Sequence, residues 1–480
     1  MKFRFKKIGP IDEAELELGD LTIIAGRNNT GKTYIVYSLY GFMSNITGLL
    51  RGDAVTRFLR GHFAEVASLS TEMVVGQLIA RKRFSWNLES DFLARARASL
   101  LQEVTREYSK NGLYRAFNTS KDQFFEACLE LDLNNSPSLS DLLDMPRSMH
   151  ISTPAGIELS IGYDGTKFTA GLEDSETKRD PPSVVESVRE ALEYGYSQFL
   201  LGGLSRPKDL PFILSSARHS IPLFINELDY VRSQVILRLQ QREERQESEA
   251  LEGGDPLRST SRYASPIHDN IDFVRSVPEQ VEAYTNRPRN VLPGDIQKMM
   301  EGAFESRNGA LRFTSIADSI LDFDIPLHLA SSSAWEMSNL YFYLGYFMER
   351  WSSRFLIIDE PESHLDTANQ IQFARLLARL VEGGMRVLIT THSDYILKEI
   401  NNLIMLNSDF EGREETMERF GYDVSLPPED IRAYVAESGG LTRCNIDRYG
   451  IDMPVFDETI DEINSRANEL ASRLAIEEES

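Results

Sequence analysis

Four short stretches of the chain are apolar at nearly every position: Leu21-Thr22-Ile23-Ile24-Ala25, Pro211-Phe212-Ile213-Leu214, Phe355-Leu356-Ile357-Ile358 and Val387-Leu388-Ile389. That pattern predicts strands covered on both faces, as in a parallel sheet. The first residues behave differently. Phe3 and Phe5 alternate with basic positions, Gly9-Pro10 interrupts, and Ile11, Ala14, Leu16 and Leu18 follow, so residues 1–25 read as strands throughout. Helical spacing begins after the glycine-rich stretch that follows Ala25, through Tyr34, Val36, Leu39 and Phe42. It returns at 91–108, at 121–131 and at 335–351, where Leu340, Leu344, Phe347 and Met348 form a stripe expected to pack in the core. Residues 157–161 and 167–170 flank Gly162-Tyr163-Asp164-Gly165, a hairpin signal. Residues 225–252 read as one helix ending in the charged run Gln241-Arg242-Glu243-Glu244-Arg245, and a second helix runs through Ile271 and Val274 toward Val281. Together they predict a short helical-hairpin arm. Strands are expected at 310–313, 325–329, 431–435 and 441–446, with a closing helix at 458–475.

Composition narrows the class. Asp and Glu number 74 against 51 Lys and Arg, a formal charge of −23, which opposes bulk nucleic-acid binding through phosphate neutralisation. The basic clusters Arg81-Lys82-Arg83 and Lys2, Arg4, Lys6, Lys7 read as solvated faces. Two cysteines, Cys128 and Cys444, lie far apart without metal-ligand spacing, and this fits a reducing compartment. No apolar run nears the roughly 20 residues of a membrane helix, and the N-terminus has no signal-peptide core. A cytoplasmic protein without membrane association is expected.

The chemistry concentrates at the ends of the apolar runs. Gly26-Arg27-Asn28-Asn29-Thr30-Gly31-Lys32-Thr33 fits G-x-x-x-x-G-K-[ST] between a strand and a helix, the context in which backbone N–H groups cradle phosphates. Gly26, Asn28, Asn29, Thr30, Gly31 and Lys32 are the expected phosphate-binding residues, with Lys32 supplying a point charge. Thr33 is placed to ligate Mg²⁺. Asp359-Glu360 ends a buried run. At that end of a parallel strand Asp359 would hold Mg²⁺ through water, and Glu360 would polarise the attacking water. His392 follows the next strand and is expected to reach a γ-phosphate. The cofactors implied are ATP and Mg²⁺, and the activity is ATP hydrolysis.

The wide spacing of these pieces resembles the ABC-type ATPase heads of the SMC, RecF and RecN group. Asn28-Asn29-Thr30-Gly31-Lys32-Thr33 looks like that group's phosphate loop, and Asp359 to Asp366 looks like its Walker B and D-loop. Thr391-His392-Ser393 looks like its switch-histidine segment. More narrowly, the chain is similar to compact ATPases of prokaryotic antiviral systems, the OLD-type, Septu-type and PARIS-type proteins, over about half its length. The resemblance implies a signature-like loop at Ser331-Ser332-Ser333, lacking the usual following glycine, that touches a partner protomer's γ-phosphate. It also implies an arginine, Arg218, that contacts nucleotide or bridges protomers. His364 is read as shaping the D-loop and not as a metal ligand, since no second ligand lies near it at metal spacing.

These readings predict an α/β P-loop NTPase with an ABC/SMC-like head, a mostly parallel sheet core and inserted helical segments. The head comprises 1–50, 201–225 and 305–480, interrupted by a helical and hairpin region at 51–200 and an arm at 226–304. The stretch after His392 is too short for the nuclease domain of OLD-type enzymes, so a separate effector protein, encoded nearby, is expected as partner of a homodimer or higher homo-oligomer. The alternatives are a RecF-like DNA-repair ATPase and a slow-turnover ATP-binding scaffold.

Overall fold

A computed structural model describes residues 1–52, 55–59, 61, 71–87, 90–132, 148–152, 157–172, 181–201, 210–221, 224–225, 263–284, 292–315, 323–348, 355–437, 439–453 and 462–472. Among the described residues the strands are β1 (Lys2–Ile8), β2 (Ile11–Glu17), β3 (Leu21–Ala25), β4 (Arg83–Asn87), β5 (Cys128–Asp132), β6 (Ser148–Ser152), β7 (Glu158–Tyr163), β8 (Lys167–Leu172), β9 (Pro211–Leu214), β10 (Gly302–Arg307), β11 (Ala310–Ser315), β12 (Asp324–Pro326), β13 (Phe355–Asp359), β14 (Arg386–Thr391), β15 (Ile431–Glu437), β16 (Gly440–Arg443), β17 (Ile446–Asp447) and β18 (Gly450–Ile451).

The central sheet has the order β16-β15-β3-β14-β13-β9. All its pairings are parallel except that of β16 with β15. Its strands are apolar at successive positions because neighbours on one strand enter different cores. Ile24, Ile213, Phe355, Ile357 and Leu388 join one hydrophobic cluster. Leu21, Ile23, Ala25, Phe212, Leu214, Leu356, Ile358, Val387 and Ile389 join the other. The helices Thr367–Glu382 and Asp394–Met405 lie on the second side, and their faces supply Phe373, Leu376, Leu377, Ile396 and Ile400. The expected stripe at 335–351, whose last three residues lie outside the described ones, is a helix, Ser332–Phe342, continued by a π-helical turn, Tyr343–Phe347. Phe212 of β9 stacks on Tyr343 at 3.8 Å.

A second sheet, β2-β1-β5, joins the N-terminal hairpin to β5. Here the structure corrects the helix expected at 121–131: Lys121–Phe124 is a single 3₁₀ turn, and Cys128–Asp132 is a strand paired with β1. The open edge of β1 takes up these backbone groups, and Leu129 alternates inward with no exposure. The region 51–200 thus adds a strand to a sheet begun by residues 2–17. It also holds an antiparallel sheet, β4-β8-β7-β6, which includes the expected hairpin. That sheet packs on the helix Pro181–Leu201, with Phe168 centred among Trp86 at 4.3 Å, Phe199 at 4.9 Å and Tyr196 at 5.3 Å.

Strands β10, β11 and β12 form a small antiparallel sheet. Asn308 and Gly309 turn β10 into β11 with φ of 56° and 75°, the two positive values of a tight hairpin turn. The first helix of the expected arm, 225–252, lies almost wholly outside the described residues, and its second is the helix Ser265–Ala283. Strands at 431–435 and 441–446 are found as β15 and β16, although β16 ends at Arg443. Among the described residues no helix is long and apolar enough to cross a membrane.

Candidate functional site

The parallel strands of the central sheet end together, and the motif residues meet there. β3 runs into the glycine loop, whose residue Gly31 has φ of 92° and caps the helix Lys32–Ser44. Gly26 has φ of 149°, and a Cβ there would stand 2.6 Å from the Ala436 carbonyl, so the loop needs glycine where it passes β15. Arg27, Asn28 and Asn29 are exposed, and the Thr30 hydroxyl donates to the Arg27 carbonyl at 2.8 Å. Lys32 Nζ donates to the carbonyls of Gly26 and Arg27, each at 2.8 Å. Burial pulls its ammonium pKa down, against the opposing charges of Glu360, Glu362 and Asp359.

Asp359 ends β13 with no exposure. Its carboxylate accepts from Thr390 Oγ1 at 2.6 Å and lies 3.2 Å from Thr33 Oγ1. The Thr33 hydroxyl and the Asp359 carboxylate thus offer adjacent oxygen donors, the donor type that Mg²⁺ takes directly or through bound water. Glu360 follows with φ of 54°, a strained value for a side-chain-bearing residue. Its N–H donates to the Thr390 carbonyl at 3.2 Å and to Thr390 Oγ1 at 3.0 Å. Thr390, two residues before His392, therefore fixes the Asp359 carboxylate and the Glu360 backbone.

His392 is exposed just past β14. Glu362, buried below it, accepts from the His392 N–H at 2.7 Å and faces His392 Nδ1 at 3.2 Å. Burial raises the Glu362 carboxyl above its ordinary range, and the hydrogen bond from the His392 backbone opposes that shift. Sequence reading gave Glu362 no part beyond its place in the D-loop. Its signal, an acid two residues beyond the Asp-Glu pair, acquires a partner only through the β13–β14 pairing.

Arg218 requires a revision. It is only 1% exposed, so it is neither a surface residue nor available to a second protomer as it stands. Its terminal nitrogens donate to the carbonyls of Ser215 at 2.9 Å, Asp359 at 2.6 Å and Glu360 at 3.0 Å, and to Glu336 Oε2 at 2.5 Å. All four terminal N–H groups are thereby used within the chain. Arg218 instead ties the end of β9 to the backbone of the Asp-Glu pair. Glu336 is fully buried; burial pushes its carboxyl up to about 7, Arg218 opposes that shift, and Glu362 and Glu360 reinforce it. Sequence reading missed Glu336, whose signal is a lone carboxylate inside an apolar helical stretch.

Ser331 caps the helix Ser332–Phe342: its Oγ accepts from the Ala334 N–H at 3.2 Å and lies 2.9 Å from Ser333 Oγ. Ser331 and Ser332 are exposed, so this helix N-terminus faces solvent. The structure does not join the serines to the chain's own phosphate loop by any hydrogen bond among the described residues. They are linked to the site through Glu336, one turn further along the same helix.

Residues 336–398 match the family described as "AAA domain, putative AbiEii toxin, Type IV TA system". That stretch starts at Glu336, spans Asp359, Glu360 and Glu362, and ends beyond His392. No curated protein matches the chain. Among solved structures it is similar to the SMC head domain from Thermotoga maritima, at 11% identity over 93% of this chain and 98% of that one, with a TM-score of 0.29. It is also similar to the Smc head domain from Pyrococcus furiosus with an extended coiled coil, bound to the C-terminal domain of ScpA. The values there are 12% identity, 96% and 98% coverage and a TM-score of 0.31. A glycine loop leaving one parallel strand, an aspartate ending another and a threonine-rich strand between them give the chain the α/β fold of a P-loop NTPase.

Proposed function

We propose that the chain binds ATP with Mg²⁺ and hydrolyses it. The observation that carries this reading is the convergence of Lys32, Thr33, Asp359, Glu360 and His392 at one end of the central sheet, with Thr33 and Asp359 offering adjacent oxygen donors for Mg²⁺. Gly26, Asn28, Asn29, Thr30 and Gly31 would present backbone N–H groups to the phosphates, helped by the positive end of the helix Lys32–Ser44. The metal, when bound, supplies charge neutralisation at the phosphates. Glu360 would accept a proton from the attacking water, and His392, held by Glu362, would contact the γ-phosphate. Two copies would enclose the nucleotide, with Ser331, Ser332 and Ser333 of one completing the site of the other. Glu360→Gln should retain ATP, lower phosphate release by about 10²–10⁴, and enrich an ATP-dependent larger species in light scattering. Wild-type phosphate release by that variant would remove Glu360 from the role.

The finer reading is an ATPase subunit of a prokaryotic antiviral system that controls a separate effector protein. The match of residues 336–398 to a family named for a toxin system supports it, as does the net charge of −23, which favours a protein partner over bulk nucleic acid. Cells carrying the chain with its genomic neighbours should resist phage only while the neighbour, Lys32 and Glu360 are intact. Protection by this chain alone would end the separate-effector idea.

A further inference from the structure

Three side chains from separate segments converge beside Arg218. His219 follows it directly, Glu336 comes from the helix Ser332–Phe342, and His364 comes from the turn after Glu362. One ligand atom from each lies within 4.8 Å of the others. The imidazole rings stand 4.9 Å apart at 58°. We propose that His219, Glu336 and His364 form a site for a divalent transition-metal ion of the Zn²⁺ class.

Two observations point to a cation there. Glu336 is fully buried, and while its Oε2 accepts from Arg218, its Oε1 has no hydrogen-bond partner. A buried carboxylate oxygen left unmatched is costly. Oε1 faces His219 Nδ1 at 3.9 Å. Nδ1 also lies 3.1 Å from the Ser216 carbonyl, while Nε2 lies 2.9 Å from Ser220 Oγ. When Nε2–H donates to Ser220, Nδ1 presents a lone pair toward two other oxygens, an arrangement that a cation resolves. The Nε2–H donation then fixes the metal-binding tautomer, as outer hydrogen bonds do at histidine sites.

The donor set suits the class. Two imidazoles and one carboxylate leave a fourth position of a tetrahedral ion open to water. Ligand atoms around such an ion lie about 3.3 Å apart, from bond lengths of roughly 2.0–2.1 Å, so the cluster must contract. Both rings can do this, since the His219 side chain is 39% exposed and His364 is exposed. The backbone of His364 has φ of 59°, which projects it from a sharply turned segment. Arg218 is the opposing charge, and Glu360 and Glu362 act on the same spot with the opposite sign. The metal would clamp the turn carrying His364 to the turn carrying Arg218 and His219. It uses neither Thr33 nor Asp359.

The test uses the full chain stripped with chelator. Titration with Zn²⁺ followed by calorimetry should give one equivalent per chain, and Co²⁺ should give the visible absorption of a low-coordinate ion. His219→Ala and His364→Ala should each weaken binding by at least about tenfold, in the range seen when a metal's supporting contacts are lost. The double variant should abolish both signals, whereas Thr33→Ala should keep them. Far-UV circular dichroism checks that the histidine variants, which alter part-exposed side chains, remain folded. Zn²⁺ and Co²⁺ signals that survive in the double variant, or their absence from the wild-type chain, overturn the proposal. So does loss of both signals in Thr33→Ala, which would place the ion at the phosphate loop.

Discussion

The central sheet and the inserted sheet β4-β8-β7-β6 are built from opposite rules. In the first, parallel strands send successive residues into two cores, and Asp359, Thr390 and Thr391, all fully buried, gather where the strands end. In the second, antiparallel strands bury alternate residues, and the centre is the ring cluster of Trp86, Phe168, Tyr196 and Phe199. A strand covered on both sides has nowhere to place a polar side chain except its terminus, so chemistry collects there. A strand with an open face can shed polar residues anywhere and gathers none.

Lys32→Ala gives the largest separation between the two regions. Nucleotide affinity and phosphate release should fall to background in filter binding and malachite-green assays. The fluorescence of Trp86, in a form with Trp335 and Trp351 replaced by Phe, should not change. A spectral change would mean that the regions are coupled more tightly than their packing implies.

Arg218→Ala and Phe168→Ala come next, and they should be alike in size but unlike in kind. Removing Arg218 leaves Glu336 buried without its partner, at a cost of about 3–5 kcal/mol, and should lower ATP turnover because the Asp359 and Glu360 carbonyls lose their anchor. Removing the Phe168 ring costs about 3–5 kcal/mol through lost contacts and a cavity. It should leave nucleotide affinity unchanged when binding is measured well below the melting temperature. Urea unfolding with a parallel ATP titration reads both effects. Equal losses of affinity in the two variants would erase the distinction.

The smallest effect is expected at the rim. Ser331→Ala removes a helix cap worth about 1 kcal/mol, seen as a small shift in the urea midpoint. Ser331→Asp keeps a capping oxygen and should restore that midpoint. A loss of ATP-dependent association in Ser331→Ala beyond what stability explains would sharpen the role proposed for this loop.

The central strands, the glycine loop and the Asp-Glu end were legible because each is written in consecutive residues. Leu21 to Thr33 specifies strand, loop and helix without reference to the rest of the chain. What lay beyond reach depended on pairings between distant segments. The fate of 121–131 was decided by the free edge of β1, since Leu129 and Leu131 suit a helix or a strand equally in isolation. Arg218 was expected at nucleotide or a second protomer until β9 placed it beside the Asp359 and Glu360 carbonyls. His364 looked solitary because its neighbours, His219 and Glu336, come from positions more than a hundred and nearly thirty residues away. The Asn308-Gly309 hairpin is different. Its turn signal is local, and it should have been read directly.

Strand order also sets a timetable. β3 emerges from the ribosome long before its sheet neighbours, β14, beginning at Arg386, and β15, beginning at Ile431. More than 360 residues separate Leu21 from its partner Val387. At a synthesis rate of roughly 5–20 residues per second, β3 waits on the order of 20–70 seconds for its first edge to be filled. During that time an apolar strand flanked by a glycine loop must be sheltered by the N-terminal hairpin or by a chaperone. The glycine loop is thus made long before the strands around it are assembled, and nascent chains released before β14 should carry the loop without its partners.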